Sequence, residues 1–167
     1  MTIPGRRVLN LAGFLVCAGM IGFAMYAQYV LLLDPCPLCI LQRIAVIAVG
    51  AIFLLMALHD PNAWGRRVYA VLLGIAALAG VGVAGWHVRL QHLPPAEVPA
   101  CGPGLNYMLE NFPLGDALRM IFEGSGECAA VAWKFLGLSM PAWVLISIVG
   151  LGAFGLWNGL RRVHTSL

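Results

Sequence analysis

Four long apolar runs, at residues 11–33, 40–58, 68–86 and 140–160, dominate the hydrophobic pattern of this chain. The first contains no charge and one amide, Gln28; the second contains one charge, Arg43; the third and fourth contain none. An α-helix rises about 1.5 Å per residue, so about 20 apolar residues cross the hydrocarbon of a bilayer. The pattern predicts an all-α membrane protein, a bundle of four transmembrane helices. The break at 59–67 is short and holds Asp60-Pro61-Asn62, which makes helices two and three antiparallel neighbours. The break at 34–39 is equally short. Residues 87–139 form the one long polar loop, with prolines at 94, 95, 99 and 103. Within it Leu114, Ala117, Leu118, Ile121 and Phe122 recur at helical spacing, with Asp116, Arg119 and Glu123 off the stripe. Such a stripe suits a short helix lying on the membrane surface, and suits equally one packed on top of the bundle. No internal repeat or low-complexity run interrupts this plan.

Composition agrees with a membrane protein. Of 167 residues, 61% are hydrophobic and 10% charged, whereas soluble domains carry roughly 25% charged residues; the mean hydropathy is +0.88. Arg6-Arg7, Arg66-Arg67 and Arg161-Arg162 supply six of the ten basic residues, and an even number of spans puts all three pairs on one side. By the positive-inside rule that side is cytoplasmic, giving cytoplasmic segments 1–10, 59–67 and 161–167 with both termini inside. These cations serve orientation, and no nucleic-acid partner is expected. The first apolar run is longer than the roughly 7 to 15 residues of a signal-peptide core and lacks an Ala-x-Ala site after it, so it is read as a retained span. Trp86, Trp133, Trp143 and Trp157 are expected as interface anchors. Six of the seven acids, and Cys36, Cys39, Cys101 and Cys128, fall on the opposite side, an oxidising compartment in a Gram-negative cell.

These cysteines are the candidate chemistry. Cys36-Pro37-Leu38-Cys39 opens the second span, where Pro37 suits the first helical turn, putting Cys36 near the N-cap and Cys39 within the turn. Unpaired N–H groups and the helix dipole favour a thiolate there. Arg43 lies one turn further along the same face, able to stabilise that thiolate or an oxyanion resting beside it. Cys101 follows the prolines of the long loop and Cys128 follows Gly124-Ser125-Gly126, so both sulfurs are expected on mobile backbone suited to exchange. Four cysteines allow three pairings, which sequence leaves open. Cys17, within the first span, is read as a small hydrophobe. Zinc would need four thiolate or imidazole ligands, with His87 and His92 completing the Cys-x-x-Cys; a disulfide relay is preferred and no metal is expected.

Gln28, Pro35-Cys36-Pro37-Leu38-Cys39, Arg43, Trp86-His87, Cys101, Ser125-Gly126-Glu127-Cys128 and the run from Trp133 to Pro141 together resemble the DsbB family of bacterial disulfide-bond formation proteins, in order and spacing over nearly the whole chain. The resemblance implies a multi-pass protein of the bacterial inner membrane that reoxidises a periplasmic DsbA-type thiol oxidase and delivers two electrons to a quinone, ubiquinone or alternatively menaquinone. It implies disulfides Cys36–Cys39 and Cys101–Cys128, attack on Cys101 by the partner's thiolate, and exchange between Cys128 and Cys36. It implies Cys39 against the quinone ring with Arg43, Gln28, His87 and Met140 nearby. Gln42 stands where the family often has an acid, which bears on tuning of the site. A vitamin K epoxide reductase-type relay and a disulfide-braced scaffold are the alternatives; the scaffold predicts permanently oxidised cysteines and no quinone.

Overall fold

The structure is a computed structural model and describes residues 5–98 and 105–161. Among the described residues, four helices are long and apolar enough to cross a membrane: α1 (Arg6–Tyr29), α2 (Pro37–His59), α3 (Ala63–Leu90) and, after the loop, α7 (Met140–Leu160). Between α3 and α7 lie the shorter helices α4 (Leu105–Asn111), α5 (Leu114–Glu123) and α6 (Gly126–Ala129), and a two-residue hairpin, β1 (Lys134–Phe135) with β2 (Leu138–Ser139).

Local chemistry sets the helix ends. Cys36 is the N-cap of α2, its sulfur accepting the Cys39 N–H, and Pro37 opens the first turn as expected. Asp60 closes α2 in the left-handed region (φ 41°), and Asn62 caps α3 by accepting the Gly65 N–H at 3.1 Å. Helix α1 starts five residues before its apolar run and stops at Tyr29. Residues 30–33 are as apolar as the helix, yet Leu32 adopts φ 54° and the Leu33 N–H folds back onto the Ala27 carbonyl. Hydropathy registers what lipid tolerates, whereas the helix end follows from the need to return the chain to Cys36. Helix α3 likewise continues four residues past residue 86.

Helix α1 packs against α2, α2 against α3, and α3 most extensively against α7. Phe53, Val49, Leu73 and Ile148, all fully buried, centre the core, with Cys17 beside Gly50. Small residues let the backbones close in: a Cβ on Gly152 would stand 2.9 Å from the Ala77 Cβ. Asn158 on α7 donates to Asn10 on α1 at 2.6 Å, both buried. At that end of the bundle Arg6 donates to the Arg161 carbonyl, and Arg7 donates to the Ala57 and Leu58 carbonyls, which terminate α2. Outward faces are apolar and open, as at Ile75 and Leu78, and lipid is the solvent that suits them.

A second apolar cluster closes the other end. Leu38, Leu90, Met108, Ala117 and Ile121 bury Cys36 and Cys128 between the helix ends and the loop. Helix α5 packs on top of the bundle through Ala117 and Ile121, while Leu114, Leu118 and Phe122, on the adjacent edge, stay exposed. Trp86 donates to the Phe122 carbonyl at 2.7 Å and so ties α5 to α3.

Candidate functional site

The loop end of α2 gathers most of the predicted chemistry. Cys36 is the middle of three sulfurs. Its S–H points at Cys39 Sγ, 3.1 Å away, while Cys128 Sγ and His87 Nε2 lie within 4.8 Å of it and of each other. The three cysteines are free thiols, and the Cys36–Cys39 gap is about 1 Å longer than a disulfide bond. Cys101 lies outside the described residues.

The glycines before Cys128 suggest a sulfur on mobile backbone, and the structure sets that sulfur in a tight, buried turn. Cys128 is 1% exposed, its N–H is bonded to the Ser125 carbonyl at 2.8 Å, and the preceding turn is set by Gly124 at φ 82°, where a Cβ would stand 2.7 Å from Leu90. The glycines serve a tight turn pressed against α3. Hydrogen bonds from Cys36, from main-chain N–H groups and from the Ser125 hydroxyl hold the Cys128 thiol down at about 6. Cys36, which donates to both Cys128 and Cys39, is pushed up. The pair therefore ionises at Cys128 first, and a low-pKa thiol is both a ready thiolate and a good leaving group.

His87 is fully enclosed by three elements. Its Nε2 is 3.0 Å from the Cys128 carbonyl oxygen and 3.7 Å from Cys36 Sγ. A carbonyl only accepts, so Nε2 carries the proton; Nδ1 must then accept from the Gln42 amide N–H, 2.8 Å away. Gln42, itself buried, fixes the imidazole as its neutral tautomer. Its place before Arg43 signalled only tuning; its packing against His87 depends on the α2–α3 pairing. His92, weighed with His87 as a ligand, is exposed and bonds the Val88 carbonyl.

Arg43 reaches across to α1, donating to Gln28 Oε1 and, at 3.1 Å, to the Ala24 carbonyl. Two acceptors at fixed positions lock the guanidinium fork, which simple snorkelling to headgroups would not require. Arg43, Cys39, Cys36, Gln42 and His87 line one cleft of about 860 Å³ including its open mouth. Met20, Ala24, Val46, Met140 and Val144 give it apolar walls, and Asp34 and Glu127 are at its rim. Met140 is thus on the wall, whereas Gln28 stands behind Arg43 as its acceptor and is not part of the lining. A second, shallower groove shares Met20, Ala24, Trp133, Met140 and Val144 with the cleft and adds Phe23, Phe135 and Trp143. The hairpin roofs it: Trp133 stacks on Phe135, and Trp143 donates to the Phe135 carbonyl at 3.1 Å. The arrangement offers thiol–disulfide exchange along three sulfurs, ending beside an apolar cleft with one fixed positive charge.

Comparison with known proteins agrees with that chemistry. The family model described as "Disulfide bond formation protein DsbB" matches residues 6–158. Curated relatives named disulfide bond formation protein B include one from Methylococcus capsulatus, 56% identical over 164 residues, covering 96% of this chain and all of the relative. Another, from Nitrosococcus oceani, is 55% identical and covers 87% of this chain and 86% of the relative. A third, from Saccharophagus degradans, is 51% identical with 96% of each chain covered. With a match of this extent added to the sulfur geometry, the chain belongs to the DsbB family of disulfide bond formation proteins.

Proposed function

We propose that the chain reoxidises a periplasmic DsbA-type thiol oxidase and hands the electrons to ubiquinone, with its cysteines on the periplasmic face and both termini in the cytoplasm. The family makes it a membrane protein-disulfide oxidoreductase of the bacterial inner membrane. The observation that carries the finer reading is the position of Cys36, between Cys39 and Cys128, next to a cleft that holds Arg43.

In this reading the partner's thiolate attacks Cys101 of a Cys101–Cys128 disulfide, and Cys128 leaves as a thiolate, which its depressed pKa favours. Cys128 then attacks Cys36 of a Cys36–Cys39 disulfide; a Cys36–Cys128 bond forms, the Cys36–Cys39 bond breaks, and Cys39 keeps the electron pair. His87 holds the Cys128 carbonyl and so keeps the nucleophile in place. A flat, apolar ring with carbonyl oxygens fits the cleft, since the walls are apolar and the guanidinium can meet one oxygen. A quinone, when bound, supplies the two-electron acceptor chemistry. Arg43 would orient it and offset negative charge, Cys39 and Met140 on the cleft wall would help to hold it, and Gln28 holds Arg43 in position.

The test is reoxidation of reduced DsbA by purified chain and ubiquinone, followed by quinone absorbance. Wild type is expected to turn over, and a reduced DsbA variant lacking its second active-site cysteine is expected to attack the Cys101–Cys128 disulfide and accumulate as a mixed disulfide through Cys101 on non-reducing gels. Trapping through any other cysteine overturns the proposed direction of flow.

A further inference from the structure

The same atoms that exchange electrons also form a set of metal ligands. Cys36 Sγ, Cys128 Sγ and His87 Nε2 are buried and mutually within 4.8 Å. The Cys36–His87 separation is 3.7 Å, and Cys39 Sγ stands 3.1 Å from Cys36. A tetrahedral zinc centre, with bonds of about 2.3 Å to sulfur and 2.0 Å to nitrogen, spaces its ligand atoms roughly 3.5 to 3.8 Å apart. The triangle needs up to about 1.3 Å of contraction to reach those spacings, and Cys39, which stands outside that mutual 4.8 Å set, must draw back about 0.7 Å from Cys36 and swing toward the other two ligands.

The surroundings suit a cation as well. A metal-bound imidazole normally donates its other N–H to an oxygen acceptor. Gln42 is already 2.8 Å from His87 Nδ1, and a half-turn of its amide presents Oε1 when the ring proton moves from Nε2 to Nδ1. The Cys128 carbonyl loses its imidazole donor in the process, a small loss beside bonds to an ion. Asp34 and Glu127, at the rim of the cleft leading to Cys36 and His87, outnumber the single guanidinium of Arg43 in that cleft and favour cations at the entrance.

We propose that the fully reduced chain is a site for thiophilic d10 cations, with Cys36, Cys128 and His87 taking Zn²⁺, Cys39 completing the tetrahedron, and the bound ion arresting exchange. Each thiol gives its proton to solvent and no electron moves, so binding is reversible by chelation. The oxidised chain has no thiolates to offer, which confines the site to the reduced state. The arrest rests on the relay reading above; the binding does not.

The experiment uses the full-length chain in detergent, reduced anaerobically with a phosphine and freed of it. Zn²⁺ is titrated against a chromophoric chelator, and Co²⁺ is added in parallel for its thiolate charge-transfer and tetrahedral d–d bands. One equivalent of Zn²⁺ is expected to bind at sub-micromolar Kd. Cys36→Ser and Cys128→Ser should each weaken binding at least 100-fold, while Cys17→Ala and Cys101→Ser bind as wild type. Serine is a favoured N-cap residue, so Cys36→Ser keeps the fold and carries the test even where Cys128→Ser does not. Unchanged affinity in Cys36→Ser, binding by the disulfide form, loss of binding in Cys101→Ser, or no binding at all overturns the site. Turnover of metal-free wild type is measured alongside: turnover without zinc binding overturns this inference alone, and zinc binding without turnover overturns the relay reading alone.

Discussion

A depressed thiol at Cys128 beside a raised one at Cys36 sets which of the two ionises first. Because the Cys128 pKa lies at about 6, its thiolate is present above that pH and is lost as pH falls through it. In a chain retaining only Cys36 and Cys128, ultraviolet thiolate absorbance is expected to rise with a midpoint near there. Adding Cys36→Ala removes the largest stabilising hydrogen bond and should move the midpoint up, toward the ordinary thiol value of about 8.5. Arg43 is the other decisive residue. Arg43→Met removes a charge-assisted contact of about 1.5 to 3 kcal/mol, so a 10- to 100-fold rise in the quinone KM is expected, with Arg43→Lys between it and wild type. Gln28→Leu, which unlocks the guanidinium without removing it, should give a smaller rise in the same steady-state assay. If Arg43→Met leaves KM unchanged, the quinone is bound elsewhere. Cys17, sealed in the core, is the internal control: Cys17→Ala should turn over at the wild-type rate.

Helix packing depends on glycines whose role periodicity does not show. A Cβ on Gly152 would meet the Ala77 Cβ, which has no rotamer to yield, so Gly152→Ala must push α7 from α3. A loss of about 1 to 3 kcal/mol is expected, read as a lower thermal midpoint in detergent. The four long helices, the cap of α2 and the stripe of α5 were all legible in the sequence, because hydropathy, proline placement and helical spacing are local signals. The Cys-x-x-Cys and Arg43 were legible because one charge in an apolar run is conspicuous. Gln42 was not: only tertiary pairing of α2 with α3 sets it against His87. Neither was the burial of Cys128, since Gly124 and Gly126 read as freedom until Leu90 is seen against the turn. The hairpin at 134–139 escaped too, being too short to carry a period.

Across the whole molecule, polar links stand at both ends of an otherwise apolar bundle. Asn10 and Asn158 join the first and last spans. Asn158→Ala should cost about 1 to 3 kcal/mol by stranding Asn10, whereas Asn10→Leu with Asn158→Leu together should be nearly neutral; equal losses in thermal midpoint for the single and double variants would show that the amide pair itself stabilises the fold. At the other end, the chain of bonds from the Gln42 amide through the imidazole to the Cys128 carbonyl crosses α2, α3 and α6. In the relay proposed above, formation of a Cys36–Cys128 bond is expected to shift that carbonyl, and with it the imidazole at the centre of the link. The oxidation state of the sulfurs is then expected to register on a ring that takes no electrons, so that the nitrogen resonances of His87 shift between the reduced and oxidised chain; identical resonances in both would show that the link does not carry the change.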